Sequence, residues 1–233
     1  MRVVISAGGT GGHIYPAVAI INKIKEEEPN SEFLYIGTHN RMEKDLIPSL
    51  EIPYEAIEIT GFIRKITLEN FKTITRFIKA RKKCLQIIKE FKPDVVIGAG
   101  GYVTAPVIWA AHKLGCKTFI HEQNSFPGKA NKFISNFADK IAISFKSSDK
   151  FFDSNKVVFT GNPCSENAIN TKAASLSEFN LDKNKKTILF VMGSLGSSKV
   201  NDFLLKTMSL FKNKNYQIVF VTGTFAYEEI SKN

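Results

Sequence analysis

The chain has 233 residues, 43% hydrophobic and 23% charged, enough for one large or two modest folded domains of ordinary globular composition. No apolar run approaches the roughly 18 residues of a membrane-spanning helix, and the N-terminus enters a strand pattern at once (Arg2-Val3-Val4-Ile5-Ser6) instead of a secretory signal, so a cytoplasmic location is expected. The formal charge of +10 calls for an anionic partner: nucleic acid, a lipid surface or a phosphorylated substrate.

Apolar strand-like runs alternate with helical patterns. Val3–Ala7 reads as a strand, Ile14–Glu27 as an amphipathic helix, Glu32–Ile36 and Tyr54–Ile59 as strands, and Leu68–Phe91 as a long helix. Val95–Gly98 is a buried strand and Ala105–Leu114 a helix; Thr118–His121, Lys140–Ile143 and Val157–Phe159 complete the strand set. Such alternation predicts an α/β, Rossmann-type doubly wound parallel sheet, which places ligands at the carboxyl ends of its strands. After the turn at Asn162-Pro163 the texture becomes polar and irregular. The pattern then restarts with strand Thr187–Val191, helix Lys199–Phe211 and strand Gln217–Val221. We therefore read 1–163 as a first domain, 164–186 as a connection, and 187–233 as the start of a second Rossmann-type domain, incomplete because one βαβ unit builds little core.

Cys84, Cys116 and Cys164 are odd in number and widely spaced, which argues against a disulfide framework or a zinc site. Basic charge is concentrated between Gly61 and Lys92, with ten Lys or Arg against two acids. In that stretch Phe71, Ile74, Phe77, Ile78, Leu85 and Ile88 fall at helical spacing and are expected mostly to pack on the sheet. The basic face left over, with Phe62, Ile63, Arg64, Lys65, Lys72 and Arg76, suits an anionic lipid surface, each cation contributing roughly 1 kcal/mol near it. A nucleic-acid partner is not expected, because the aromatics are not interleaved with the cations as stacking platforms.

Three loops carry the polar chemistry. The first strand ends in Ala7-Gly8-Gly9-Thr10-Gly11-Gly12-His13, and a helix follows. Glycines allow close backbone approach, and the helix N-terminus favours an anion. The dinucleotide and Walker spacings are both absent, so the loop reads as a phosphate or sugar site, or as a tight turn only. A second such loop is Gly98-Ala99-Gly100-Gly101-Tyr102-Val103-Thr104-Ala105-Pro106, and two loops on one sheet edge suit a diphosphate. The third element, His121-Glu122-Gln123-Asn124, reads as a sugar contact or as a polar loop capping the next helix.

Gly8 to Pro16, Gly100 to Pro106, His121 to Asn124 and Gly161-Asn162-Pro163 occur in the order and spacing of the MurG family, and Met42-Glu43 and Gly61 to Lys65 match as well. The resemblance runs from Met1 to about Tyr227. It implies a two-domain GT-B-like fold without a cofactor. It also implies inverting transfer of N-acetylglucosamine from UDP-N-acetylglucosamine to the C4 hydroxyl of the muramyl sugar of lipid I, on the cytoplasmic face of the membrane. Loop amides and helix dipoles, with no metal, would stabilise the leaving UDP.

By the same resemblance His13 or Glu122 is the base. Thr10, Gly11, Gly12 and Asn124 touch the donor sugar or the acceptor, Ser194 meets the donor, and Gly8, Gly9, Gly100, Gly101, Tyr102 and Thr104 form the acceptor-diphosphate site. Two positions depart from the pattern. Met192 replaces the first glycine of a Gly-Gly-Ser loop, and Cys164-Ser165 stands where the family places Val-Arg. Together with the incomplete second domain, these leave open a non-catalytic acceptor-binding fragment at the membrane. A related lipid glycosyltransferase with another acceptor also remains open.

Overall fold

The computed structural model describes residues 1–61, 68–193, 196–212 and 214–232, and for 68–72 and 224–225 the backbone only. It divides into two compact units, Met1–Asn170 and Thr171–Asn233.

The first unit is built on a seven-stranded, all-parallel sheet. Its strands are β1 (Arg2–Ser6), β2 (Glu32–Thr38), β3 (Tyr54–Ile57), β4 (Val95–Gly98), β5 (Lys117–Glu122), β6 (Lys140–Ile143) and β7 (Val157–Phe159). Their spatial order is β3-β2-β1-β4-β5-β6-β7. Val3, Val4 and Ile5 are buried without interruption, as a central parallel strand covered on both faces requires. On one face lies α1 (Gly11–Glu27), whose stripe Ile14, Ala17 and Ile21 packs with Phe33, Tyr35 and Ile47. Ile47 comes from α2 (Glu43–Ser49). The other face carries α3 (Leu68–Phe91), α4 (Thr104–Lys113) and α5 (Lys129–Ile134), whose buried Ala80, Cys84, Ile88, Ile108 and Ile134 close over Val4, Val96, Ile120 and Ile141.

The strand order reverses between β1 and β4. Chain leaving β1 builds the sheet one way, and chain leaving β4 builds it the other way. In sheets of this kind the helices diverge at such a reversal, and the crevice for ligands lies at the carboxyl ends of the two strands that flank it. Both glycine loops are the direct continuations of β1 and β4.

Boundaries differ from the sequence reading where glycine or short helices are involved. Helix α1 begins at Gly11, so two loop glycines form its first turn. Helices α2 and α5 and the helix α6 (Cys164–Asn170) are six or seven residues long, too short for a periodic signal. Helix α6 falls in the stretch expected to be irregular, and it packs on α1 with Lys23 Nζ 3.3 Å from Glu166 Oε1. In α3, Phe77, Leu85 and Ile88 pack as expected, but Ile74 and Ile78 stand 46% and 47% exposed, so part of the predicted apolar stripe faces outward. Phe62, Ile63, Arg64 and Lys65, and the side chain of Lys72, lie outside the described residues. Arg76 is described and lies 3.1 Å from Glu58. Among the described residues no helix is long and apolar enough to cross a membrane.

The second unit pairs β8 (Lys186–Val191) with β9 (Tyr216–Val221) in parallel, with α7 (Ser198–Thr207) between them and α8 (Thr224–Ile230) after them. Leu189, Phe203 and Leu210 are each at least 60% exposed, which fits a two-stranded sheet with little to cover it.

Tyr35 shows how tightly the first unit closes beneath the crevice. Its ring stacks on Tyr54 at 5.9 Å, and its hydroxyl donates to the Ala7 carbonyl at 2.9 Å. Burial, and secondarily Glu43, push its phenol well above its ordinary pKa. Tyr35→Phe strands that carbonyl in the interior and should cost about 1–2 kcal/mol, read as a lower urea midpoint for the first unit.

Candidate functional site

At the end of β1 the backbone stays locked to its neighbour strand. Ala99 N–H donates to the Ser6 carbonyl at 2.8 Å, and Gly8 N–H donates to the Gly100 carbonyl at 3.2 Å. The two glycine loops are thus held side by side. Gly9, Gly100 and Gly101 have φ of 95°, 105° and 87°, a region that L side chains rarely adopt. A Cβ on Gly101 would meet the Gly8 carbonyl oxygen, and one on Gly100 would lie 2.5 Å from Cδ2 of His13. Close contact between the loops therefore requires glycine at 100 and 101.

His13 lies over Gly100, with its Nδ1 3.1 Å from the Gly8 carbonyl oxygen. A carbonyl only accepts, so Nδ1 carries the proton and donates it. Nε2 of the neutral ring is then left with a free lone pair. The imidazole is half-buried and fixed in one tautomer by the loop it adjoins.

The backbone amides fall into two sets. Those of Gly8 and Gly9 are turned inward, donating to Gly100 O and, at 3.2 Å, to Glu43 Oε2. Those of Thr10, Gly11, Gly12, Gly100, Gly101 and Tyr102 donate to no other described residue. Gly8 and Gly9 were expected to face the diphosphate themselves; their amides serve the loop instead. Thr104, also expected there, is fully buried and its hydroxyl donates to the Gly101 carbonyl at 2.7 Å, closing the second loop. The free amides lie at the start of the long helix α1 and just before α4, where helix dipoles add positive potential. Arg41, absent from the sequence reading, is exposed and lies close to the Tyr102 side chain, which raises its guanidinium pKa further. It brings a permanent cation to the second loop. Its place directly before Met42-Glu43 was the available signal.

The third element turns mostly inward. Glu122 has no exposed surface. Its Oε1 accepts from Asn124 N and Nδ2, both at 2.9 Å, and its Oε2 accepts from Gly128 N at 3.1 Å and Asn131 Nδ2 at 3.0 Å. With four donors it organises the turn into α5, and no lone pair faces the crevice. His121 is 2% exposed. Its Nδ1 accepts from Gln123 Nε2 at 2.9 Å, so Nε2 holds the proton and donates to the Gly161 carbonyl at 3.2 Å. Of the four side chains expected to meet a sugar, only Asn124 is exposed. Ser194 lies outside the described residues.

Burial lowers the pKa of His121 from its usual 6.5. The unfolded chain then binds the proton more readily than the folded one, so stability is complete above 6.5 and falls as pH drops from there towards the folded value. Urea midpoints at pH 7.5 and pH 5.5 should show this loss. His121→Gln, which cannot titrate, should show a smaller one.

The family model for the glycosyltransferase family 28 N-terminal domain matches residues 3–143, which takes in both glycine loops, His13 and the turn after β5. The chain belongs to glycosyltransferase family 28. It is similar to relatives from Bacillus subtilis (48% identical over 231 residues) and Bacillus pumilus (50% over 231 residues). Both are named UDP-N-acetylglucosamine–N-acetylmuramyl-(pentapeptide) pyrophosphoryl-undecaprenol N-acetylglucosamine transferase. The match covers 99% of this chain and 64% of each relative, so the chain spans just under two thirds of their length. Among solved structures it is similar to Acinetobacter baumannii MurG, with a TM-score of 0.71 and 29% identity over 99% of this chain and 63% of that one. It shares a fold with a UDP-GlcNAc 2-epimerase from Neisseria meningitidis, at a TM-score of 0.65 and 16% identity, covering 100% of this chain and 68% of that one. The MurG resemblance and the α/β fold class read from the motifs both stand, and the family 28 assignment rests on the segment that carries the crevice.

Proposed function

We propose that the chain provides the acceptor side of a MurG-type N-acetylglucosaminyltransferase of peptidoglycan synthesis. The acceptor would be lipid I and the donor UDP-N-acetylglucosamine. The observation that carries this reading is the set of unengaged amides at Thr10–Gly12 and Gly100–Tyr102. They flank one imidazole at the point where the strand order reverses.

On this reading the amides and Arg41 hold the acceptor diphosphate, and Asn124 contacts sugar. His13 Nε2 takes the proton from the muramyl C4 hydroxyl as its oxygen attacks C1 of the donor sugar. Attack from the side opposite UDP inverts that centre, and UDP departs with the bonding electron pair. His13 is preferred to Glu122 as base because its Nε2 lone pair is free, whereas both Glu122 oxygens are engaged by donors. The exposed Ile74 and Ile78 beside Arg76, Lys79 and Lys82 favour contact of α3 with an anionic membrane surface.

The test is transfer of radiolabelled N-acetylglucosamine from UDP-N-acetylglucosamine to a short-chain lipid I analogue. It would compare the chain with a chimera carrying the remaining C-terminal portion of the Bacillus subtilis relative. Turnover by the chimera supports the enzyme. Acceptor binding without turnover in either form leaves an acceptor-binding role alone. No acceptor binding by either form refutes the reading.

A further inference from the structure

Glu43 has no part in the chemistry above, yet it is a carboxylate with no exposed surface. It opens α2, where an acid in the first turn is ordinarily a solvated partner of the helix dipole. Here the side chain turns inward beneath the ends of β1 and β2. Its Oε1 accepts from the Thr38 hydroxyl at 2.7 Å and the Thr38 N–H at 3.3 Å; its Oε2 accepts from the Gly9 N–H at 3.2 Å.

Two glycines make room for it. A Cβ on Gly8 would lie 2.6 Å from Oε1, and one on Gly37 would lie 2.8 Å from Cγ. The titratable groups around it are Tyr35 and Tyr54, both with raised pKa through burial first and Glu43 second, and the exposed Arg41. An inaccessible carboxylate is costly unless hydrogen bonds satisfy it, and these three donors do so.

The geometry points to Glu43 as a positioning residue that anchors the first glycine loop from behind and presets the amides of Thr10, Gly11 and Gly12 for the acceptor diphosphate. The identity of the ligand rests on the reading above, while the anchoring rests on these distances alone. By pulling the Gly9 N–H inward, Glu43 fixes the turn that leaves the next three amides facing the crevice. Its negative charge opposes an anion in the loop, so its benefit is geometric. That opposition gives the test its sign.

Glu43→Gln keeps the shape, removes the charge and replaces one acceptor oxygen with an NH2. Thr38→Val keeps the charge and removes one donor. Hydrogen exchange of the Gly9 amide is read by NMR, and binding of geranyl diphosphate by calorimetry. Glu43→Gln is expected to speed Gly9 exchange roughly tenfold or more, leaving the Ser144 amide, bonded to the Glu122 carbonyl, unchanged. Loss of preset geometry is expected to weaken geranyl diphosphate about fivefold or more, with Thr38→Val shifting both readouts the same way by less.

Unchanged Gly9 exchange, or binding equal to or tighter than wild type, overturns the proposal. If wild type does not bind geranyl diphosphate, the acceptor reading falls and the diphosphate role with it, and Gly9 exchange still decides the anchoring. If Glu43→Gln does not fold, Thr38→Val decides on the same two readouts.

Discussion

Gly101→Ala is expected to destabilise the first unit by about 3 kcal/mol, through a backbone conformation that disfavours alanine and a clash that cannot be relieved by a rotamer change. Gly101 has φ of 87°, and its added methyl would meet the Gly8 carbonyl oxygen, which is main chain. Separating the two would pull apart the Gly8–Gly100 hydrogen bond and with it the pairing of the two loops. The change should appear as a lower urea midpoint for the first unit. Gly12→Ala is the contrasting case. Its Cβ would meet only the Thr10 hydroxyl at 3.7 Å, and its φ is not positive, so stability should hold or rise by up to about 1 kcal/mol. On the acceptor reading the same methyl stands where a diphosphate approaches, so binding should weaken in a protein that folds at least as well. Equal stability of both variants would contradict the packing of the loops described here.

The second large effect concerns His13. His13→Ala in a form that turns over should lower kcat on the order of 10²–10⁴-fold, the range over which a positioned base acts. His13→Asn sharpens the test, because an amide N–H can replace the donation from Nδ1 to the Gly8 carbonyl but offers no lone pair where Nε2 stood. If His13 only holds the loop, asparagine should restore most of the rate. If Nε2 accepts the proton, asparagine should fold like wild type and remain slow. Glu122→Gln should behave differently from both, since it disturbs a four-donor turn and should act first on the order of α5.

The parallel sheet was legible because uninterrupted runs such as Val3-Val4-Ile5 and Val95-Val96-Ile97 have few other destinations, and because a helical pattern follows most of them. The crevice was legible for the same reason: glycines directly after two strands mark close backbone approach. Which amides the fold itself engages was not legible. Gly8 and Gly9 look like Gly11 and Gly12 in the sequence, and only the positions of Glu43 and Gly100 separate engaged from unengaged donors. The same holds for His121 to Asn124. Four polar residues in a row suggest a contact surface, but strand alternation and the turn into α5 bury three of them. The hold of Glu43 on the first glycine loop was not legible either, because Gly9, 34 residues away in the sequence, is brought to it by the sheet.

On the proposed function, unengaged amides of two glycine loops form one diphosphate site. The most direct measurement is an NMR titration of the chain with a short-chain lipid I analogue, following backbone amides. Saturable shifts are expected to concentrate at Thr10, Gly11, Gly12, Gly100, Gly101 and Tyr102, with the Gly8 and Gly9 amides still protected from exchange. Saturable binding that leaves those six amides unmoved, or no binding at all, would contradict it.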